Sequence, residues 1–89
     1  MTAAEGLARA GFHVWRGRRA RGLTAAAFAR ELGIGRNTLG RLERGEAVGS
    51  EHLAAALLAL GVREPFRLTR RGLEDFAFRQ RWIASRGKT

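Results

Sequence analysis

The sequence predicts an all-α fold, a compact bundle of about five helices that contains a helix-turn-helix. Apolar residues recur at helical spacing over several stretches. Those stretches start at residues suited to capping (Thr24, Ser50, Thr69) and stop at glycine (Gly22, Gly45, Gly61). The bundle divides into residues 1–62, which carry the helix-turn-helix, and a C-terminal extension, residues 63–89, which carries a further helix.

The first helix is expected from Ala3 to Arg21, with Leu7, Ala10, Val14 and Trp15 as its apolar stripe. Gly6, Gly11 and Gly17 weaken it, each by up to about 1 kcal/mol relative to Ala. That weakness leaves a late start near Phe12, with the first ten residues loose, as the alternative. Arg16, Arg18, Arg19 and Arg21 crowd its C-terminal end, where cations suit the helix dipole.

Thr24 then caps a second helix, Ala25 to Leu32, built from strong helix formers. Gly33 supplies the sharp turn, because only glycine enters left-handed space at little cost. Ile34 drops into the core, Gly35 caps a third helix that runs to about Arg44, and Gly45 ends it. Phe28, Ala29, Leu32, Ile34, Leu39 and Leu42 fit two helices that share one buried corner. The outer face of the third helix begins with Arg36 and Asn37 and returns one turn later to Gly40 and Arg41. Arginine pairs bidentately with guanine and asparagine with adenine in the major groove. An exposed helix offering these groups from its first turns has the geometry of a recognition helix.

Residues Gly45 to Gly49 form a loop, and Ser50 caps a fourth helix with Glu51 in its first turn. Leu53, Ala56, Leu57 and Leu60 recur as one stripe, which Leu58 widens, so this helix is expected in the core. Pro65 marks a boundary, and Pro65–Leu68 is expected as a short extended piece. Thr69 caps a last helix from Arg70 to about Ser85, with Arg86–Thr89 frayed. Leu73, Phe76, Ala77 and Ile83 form its main apolar face, and Phe78 and Trp82 lie to one side. These large apolar groups are too many for an unattached tail. One face closes the core, and Phe76, Phe78, Trp82 and Ile83 are the residues expected to meet a second subunit or another protein.

Composition narrows the function classes. The chain of 89 residues is one small domain with a modest core, which dimerisation or a bound partner would support. It has no cysteine, and His13 and His52 lack ligand spacing, so no metal site and no cofactor is expected. The N-terminal residues carry neither a signal peptide nor a long apolar run, which points to the cytoplasm and away from the membrane. The net charge of +9 arises in the flanks: residues 1–22 contribute +4, residues 23–62 are balanced, and residues 63–89 contribute +5. Such a field favours a polyanion, most simply a nucleic-acid backbone; with the recognition-helix geometry of the third helix, double-stranded DNA is the expected partner. No nucleophile sits beside a histidine, and the acidic residues are scattered among arginines, so an enzyme is not expected.

Residues 7–62 resemble the Xre/Cro-like helix-turn-helix family, which includes the repressors of lambdoid phages. The resemblance is carried by Leu23-Thr24, Phe28-Ala29, Leu32-Gly33-Ile34, Thr38-Leu39 and Leu42-Glu43-Arg44-Gly45, and it extends to Gly61-Val62. It implies a lambda repressor-like fold and DNA binding. It also implies that Arg18 pairs with Glu43, locking the first helix to the recognition helix. Ala25 stands where the family usually has Gln, Gly35 where it has Ser, and Gly40 where a side chain often faces the groove. The 45–49 loop is expected beside the DNA backbone, but Glu46 has the wrong sign for phosphate, so backbone amides would serve there.

These readings converge on a sequence-specific transcriptional regulator that acts as a homodimer on a palindromic operator. Arg36, Asn37 and Arg41 are the expected base readers, and Thr38, Arg44, Arg18 and Arg19 the expected phosphate contacts. Two alternatives stand beside it. One is an autoregulating antitoxin whose C-terminal helix binds a toxin, a common role of small members of the family. The other is a nucleic-acid-binding module that does not read sequence, for which the bare Gly35 and Gly40 and the basic flanks speak.

Overall fold

The computed structural model describes residues 1–86. Five helices make up the described residues: α1 (Ala3–Ala20), α2 (Ala25–Leu32), α3 (Arg36–Glu43), α4 (Ser50–Leu60) and α5 (Arg70–Arg86). No strand is present among them. The fold is all-α, in the lambda repressor-like arrangement.

Helix α1 is the central post against which α3, α4 and α5 pack. It starts at Ala3, not near Phe12. Thr2 caps it, with Oγ1 accepting from the Glu5 amide at 3.1 Å, and Glu5 places a negative charge in the first turn. The three glycines expected to weaken this helix are where its neighbours sit. Gly6 lies under the Phe66 ring, Gly11 against the backbone of Leu42 and Gly45, and Gly17 under Leu60. At Gly11 the propensity cost is offset by a backbone approach that no larger residue would permit.

The α2–α3 corner forms around Gly33, which adopts φ 70° and ψ 31°. Thr24 caps α2 through a 3.1 Å bond from the Ala27 amide. The Ile34 amide donates to the Ala29 carbonyl at 3.0 Å, closing the turn. Val14, Phe28, Ala29, Leu39, Leu42 and Ala56 form the core, and Leu23, Leu32, Ile34, Val48, Leu53, Leu57 and Leu60 pack around it.

Helix α4 departs from expectation in two ways. Its cap is Gly49, with Ser50 as the first helical residue. Leu58 is 80% exposed, so the buried stripe is narrower than the sequence implies; it centres on Ala56. The connection after α4 is a turn at Pro65–Phe66, not an extended piece, with the Arg67 amide donating to the Glu64 carbonyl at 3.2 Å. It is tied to α1 at two points. Arg9 donates from Nη1 to the Phe66 carbonyl at 3.2 Å, and His13 donates from Nε2 to the Arg67 carbonyl at 2.7 Å.

Thr69 caps α5, its Oγ1 accepting from the Gly72 amide at 3.0 Å. The face of α5 turned to α1 differs from the expected one. Phe76 meets Phe12 edge-on at 5.6 Å between ring centroids, and Ile83 is half-buried, but Leu73 and Ala77 are exposed. At 100° per residue, Leu73 and Ala77 fall on one flank of α5 and Phe78 and Trp82 on the other. Arg79, which the apolar pattern passes over, points inward beside Phe76. Arg86 is still helical, and the rest of the stretch expected to fray lies outside the described residues.

Candidate nucleic-acid interface

Helix α3 is held from behind and open in front. Leu39 and Leu42 are buried, and so is Glu43 at 6% exposure. Arg18 of α1 grips Glu43: Nε donates to Oε2 at 2.7 Å and Nη2 to Oε1 at 3.0 Å. Nη1 of the same guanidinium donates to the Leu23 carbonyl at 2.8 Å. One side chain therefore fixes α3 relative to α1 and to the approach to α2. The planar fork of arginine suits this bidentate geometry, which lysine would not reproduce.

Arg36 and Asn37 lie exposed at the start of α3, and neither side chain takes part in a hydrogen bond or ion pair among the described residues. Gly35 caps the helix without a side-chain bond, so nothing but backbone stands between the turn and the first amides of α3. Arg41 is exposed too, but it lies along its own loop. Its Nη2 donates to the Ala47 carbonyl at 2.9 Å, and its Nε is 3.5 Å from Glu46 Oε1. Arg44 is tied to the same carboxylate, with Nε 2.9 Å from Glu46 Oε2. Glu46 thus restrains two cations at once. The hydrogen bond from Arg44 leads in holding its carboxyl below the ordinary range; desolvation opposes it, and the charges of Arg44 and Arg41 add to the lowering.

The remaining positions separate. Thr38 is half-buried on α3, and Arg19 is exposed on α1 with its guanidinium 5.0 Å from the Trp15 ring. Arg18 is 11% exposed, with three nitrogens engaged internally. Gly40, expected on the outer face, is half-buried and lines a cleft under α5; a Cβ there would meet Arg44 Nη1 at 3.2 Å. On α5, Phe78 and Trp82 are 67% and 48% exposed. The sequence reading did not foresee the double tie of Glu46 or the inward Arg79. The only signals for them were a carboxylate two residues after Arg44 and an arginine three residues before Trp82.

No group of His, Asp and Glu suited to a metal ion occurs among the described residues. No helix among them is long and apolar enough to cross a membrane.

Comparison with known proteins agrees with this geometry. A family model for the helix-turn-helix matches residues 16–66, more than half of the chain. The match runs from the last turns of α1 through α4 to the Pro65–Phe66 turn and leaves α5 outside. No curated protein and no solved structure gives a significant match. With an internally braced α3 presenting Arg36 and Asn37 and the family pattern spanning the core helices, the chain belongs to the Xre/lambda repressor-like helix-turn-helix family and is a DNA-binding regulator of that type.

Proposed function

We propose that the protein reads a specific duplex sequence with α3 and acts in the cytoplasm as a dimer on a palindromic operator. The observation that carries this reading is the pairing of a rigid back with an open front on one helix. Arg18 and the core fix α3, while Arg36 and Asn37 stand exposed at its first turn. Arg36, Asn37 and Arg41 read base edges, Arg41 after exchanging the Ala47 carbonyl for the groove. Arg44, Arg19 and Thr38 contact phosphates. Arg18 is left out of that set, because it is 11% exposed and three of its five N–H groups are bonded inside the protein.

The 63–89 segment supplies the association surface. On α5, Leu73, Phe78 and Trp82 are the exposed large apolar groups; the homodimer uses the Leu73 flank, since Phe78 and Trp82 lie on the other flank, in the wall of the cleft beside α3. Two copies related by a two-fold axis would place their α3 helices in successive major grooves, about 34 Å apart. The protein acts by binding, not by catalysis.

Selection of binding sites from random duplex DNA tests this. The expected product is a symmetric site with half-sites about 10 base pairs apart, bound by two chains. A single unpaired half-site overturns the dimer. Failure to enrich any sequence would favour a sequence-independent nucleic-acid binder. The exposed Phe78 and Trp82 also suit a heterologous partner such as a toxin. A stable complex with the product of a neighbouring gene, formed at the expense of the homodimer, would favour that reading.

A further inference from the structure

A cleft of about 750 Å³ opens where α5 passes over α1 and the end of α3. Five arginines and two carboxylates line it, together with Phe12, Trp15, Phe78 and Trp82. Of the two carboxylates, Glu43 is already spent on Arg18, and Asp75 is exposed. The lining is therefore both cationic and aromatic.

Arg79 is the focus. Its guanidinium carbon lies 4.0 Å from the centroid of Trp15 and 5.3 Å from that of Trp82. Arg19 reaches over Trp15 as well, at 5.0 Å. Stacking on a ring holds a guanidinium by its face and leaves its N–H edge for another partner. Arg79 lacks that partner: its Nε is buried and makes no hydrogen bond among the described residues. Buried donors are rarely left so, and each one calls for an explanation. Burial pushes Arg79 below the ordinary arginine range; Glu43 opposes this, and the charges of Arg19, Arg18 and Arg44 push it further down. An anion beside the guanidinium edge would offset the repulsion from Arg19, Arg18 and Arg44.

We propose that this cleft binds a small organic anion, with a phosphate or carboxylate held by Arg79 and Arg19 and an attached aromatic ring packed against Trp82 and Phe78. A metal cation has the wrong sign for the lining. An inorganic anion would leave the exposed rings of Phe78 and Trp82 unused, and a neutral ring would leave Arg79 unpaired.

The chain carries its own reporter. Trp15 and Trp82 are its two tryptophans, both in the cleft wall, and it has no tyrosine. Intrinsic tryptophan emission of the full-length protein therefore reports on this cleft alone. The probes are phenyl phosphate and benzoate, with inorganic phosphate and benzyl alcohol as the separate halves. The expected result is a saturable emission change with phenyl phosphate, benzoate or both; which of them binds identifies the anionic group. Each half alone binds at least about tenfold more weakly, a difference of about 1.4 kcal/mol. Arg79→Gln weakens binding by a similar factor. Arg19→Gln, at an exposed position, weakens it several-fold.

Several results would overturn the proposal. One is the absence of a saturable change with any probe up to about 10 mM, beyond even the weak millimolar range. Another is an inorganic phosphate response equal to that of phenyl phosphate. A third is binding indifferent to Arg19→Gln. A fourth is emission that follows protein concentration and ignores the probes, which would mean that a second copy of the chain covers the cleft. No DNA is present in this titration, so its failure leaves the reading of α3 untouched.

Discussion

Arg18 and Glu43 meet through two parallel hydrogen bonds of 2.7 and 3.0 Å, with 11% and 6% of their side chains exposed. This pair is the joint between α1, the central post of the fold, and α3. Removing one member strands the other charge in a water-poor site. Arg18→Met is expected to lower stability by about 3–5 kcal/mol, read by chemical unfolding. The double variant Arg18→Met, Glu43→Leu should recover most of that loss. Equal losses in the single and double variants would show that the two side chains do not depend on one another.

Two glycines one helix apart should respond to alanine in opposite directions. Gly11 faces the backbone of α3: its missing Cβ would overlap the Leu42 carbonyl and come within 3.0 Å of the Gly45 nitrogen. Gly11→Ala must push α1 and α3 apart, and a loss of about 1–3 kcal/mol is expected. Gly40 sits mid-helix, and its new methyl would meet only the far end of Arg44, at 3.2 Å. Gly40→Ala should gain about 0.5–1 kcal/mol from helix propensity. Thermal unfolding of the two variants checks the contrast.

Glu46 ties up Arg41 and Arg44, both assigned to DNA contact in the proposed function. Glu46→Gln should release both and raise affinity for specific and random DNA alike by about twofold to fivefold, as expected for exposed ion pairs. The sign with pH follows from the direction of the shift. The carboxyl is held below its ordinary range, so the restraint is complete above that range. It is lost only as pH falls through the lowered value and the carboxylate takes a proton. Parent and variant affinities, measured by fluorescence polarisation, should differ at neutral pH and converge in acid.

Arg19 lies on α1, outside the recognition helix, with its guanidinium on Trp15. Arg19→Ala is expected to weaken every duplex by a similar factor and to flatten the salt dependence by about one unit. A change in sequence preference would instead make it a reader.

Much of this was legible in the chain because it rests on local rules. The caps at Thr24 and Thr69 and the turn at Gly33 depend on residues within a few positions of one another. The start of α1 at Ala3 was legible in the pattern; the alternative late start near Phe12 failed because propensity counts the cost of Gly6, Gly11 and Gly17 without seeing what packs on them. Leu58 was misplaced because periodicity defines a stripe but not how much of it the neighbours cover. The inward Arg79 and the cleft around it draw on α1, α3 and α5, and no spacing within one helix could reveal them. Arg41 illustrates the same limit at the interface. Its position on the outer face follows from the helix period, but its bond to the Ala47 carbonyl depends on how the loop returns.

The central claim is that α3 reads sequence through Arg36, Asn37 and Arg41. Polarisation titrations of the parent, Arg36→Ala and Arg41→Ala against a selected duplex and a random duplex at physiological salt test it most directly. The parent should prefer the selected duplex by at least about 10³-fold. Each variant should lose about 1–3 kcal/mol on that duplex and much less on random DNA. A preference near unity for the parent, or equal weakening on both duplexes in both variants, would contradict the account.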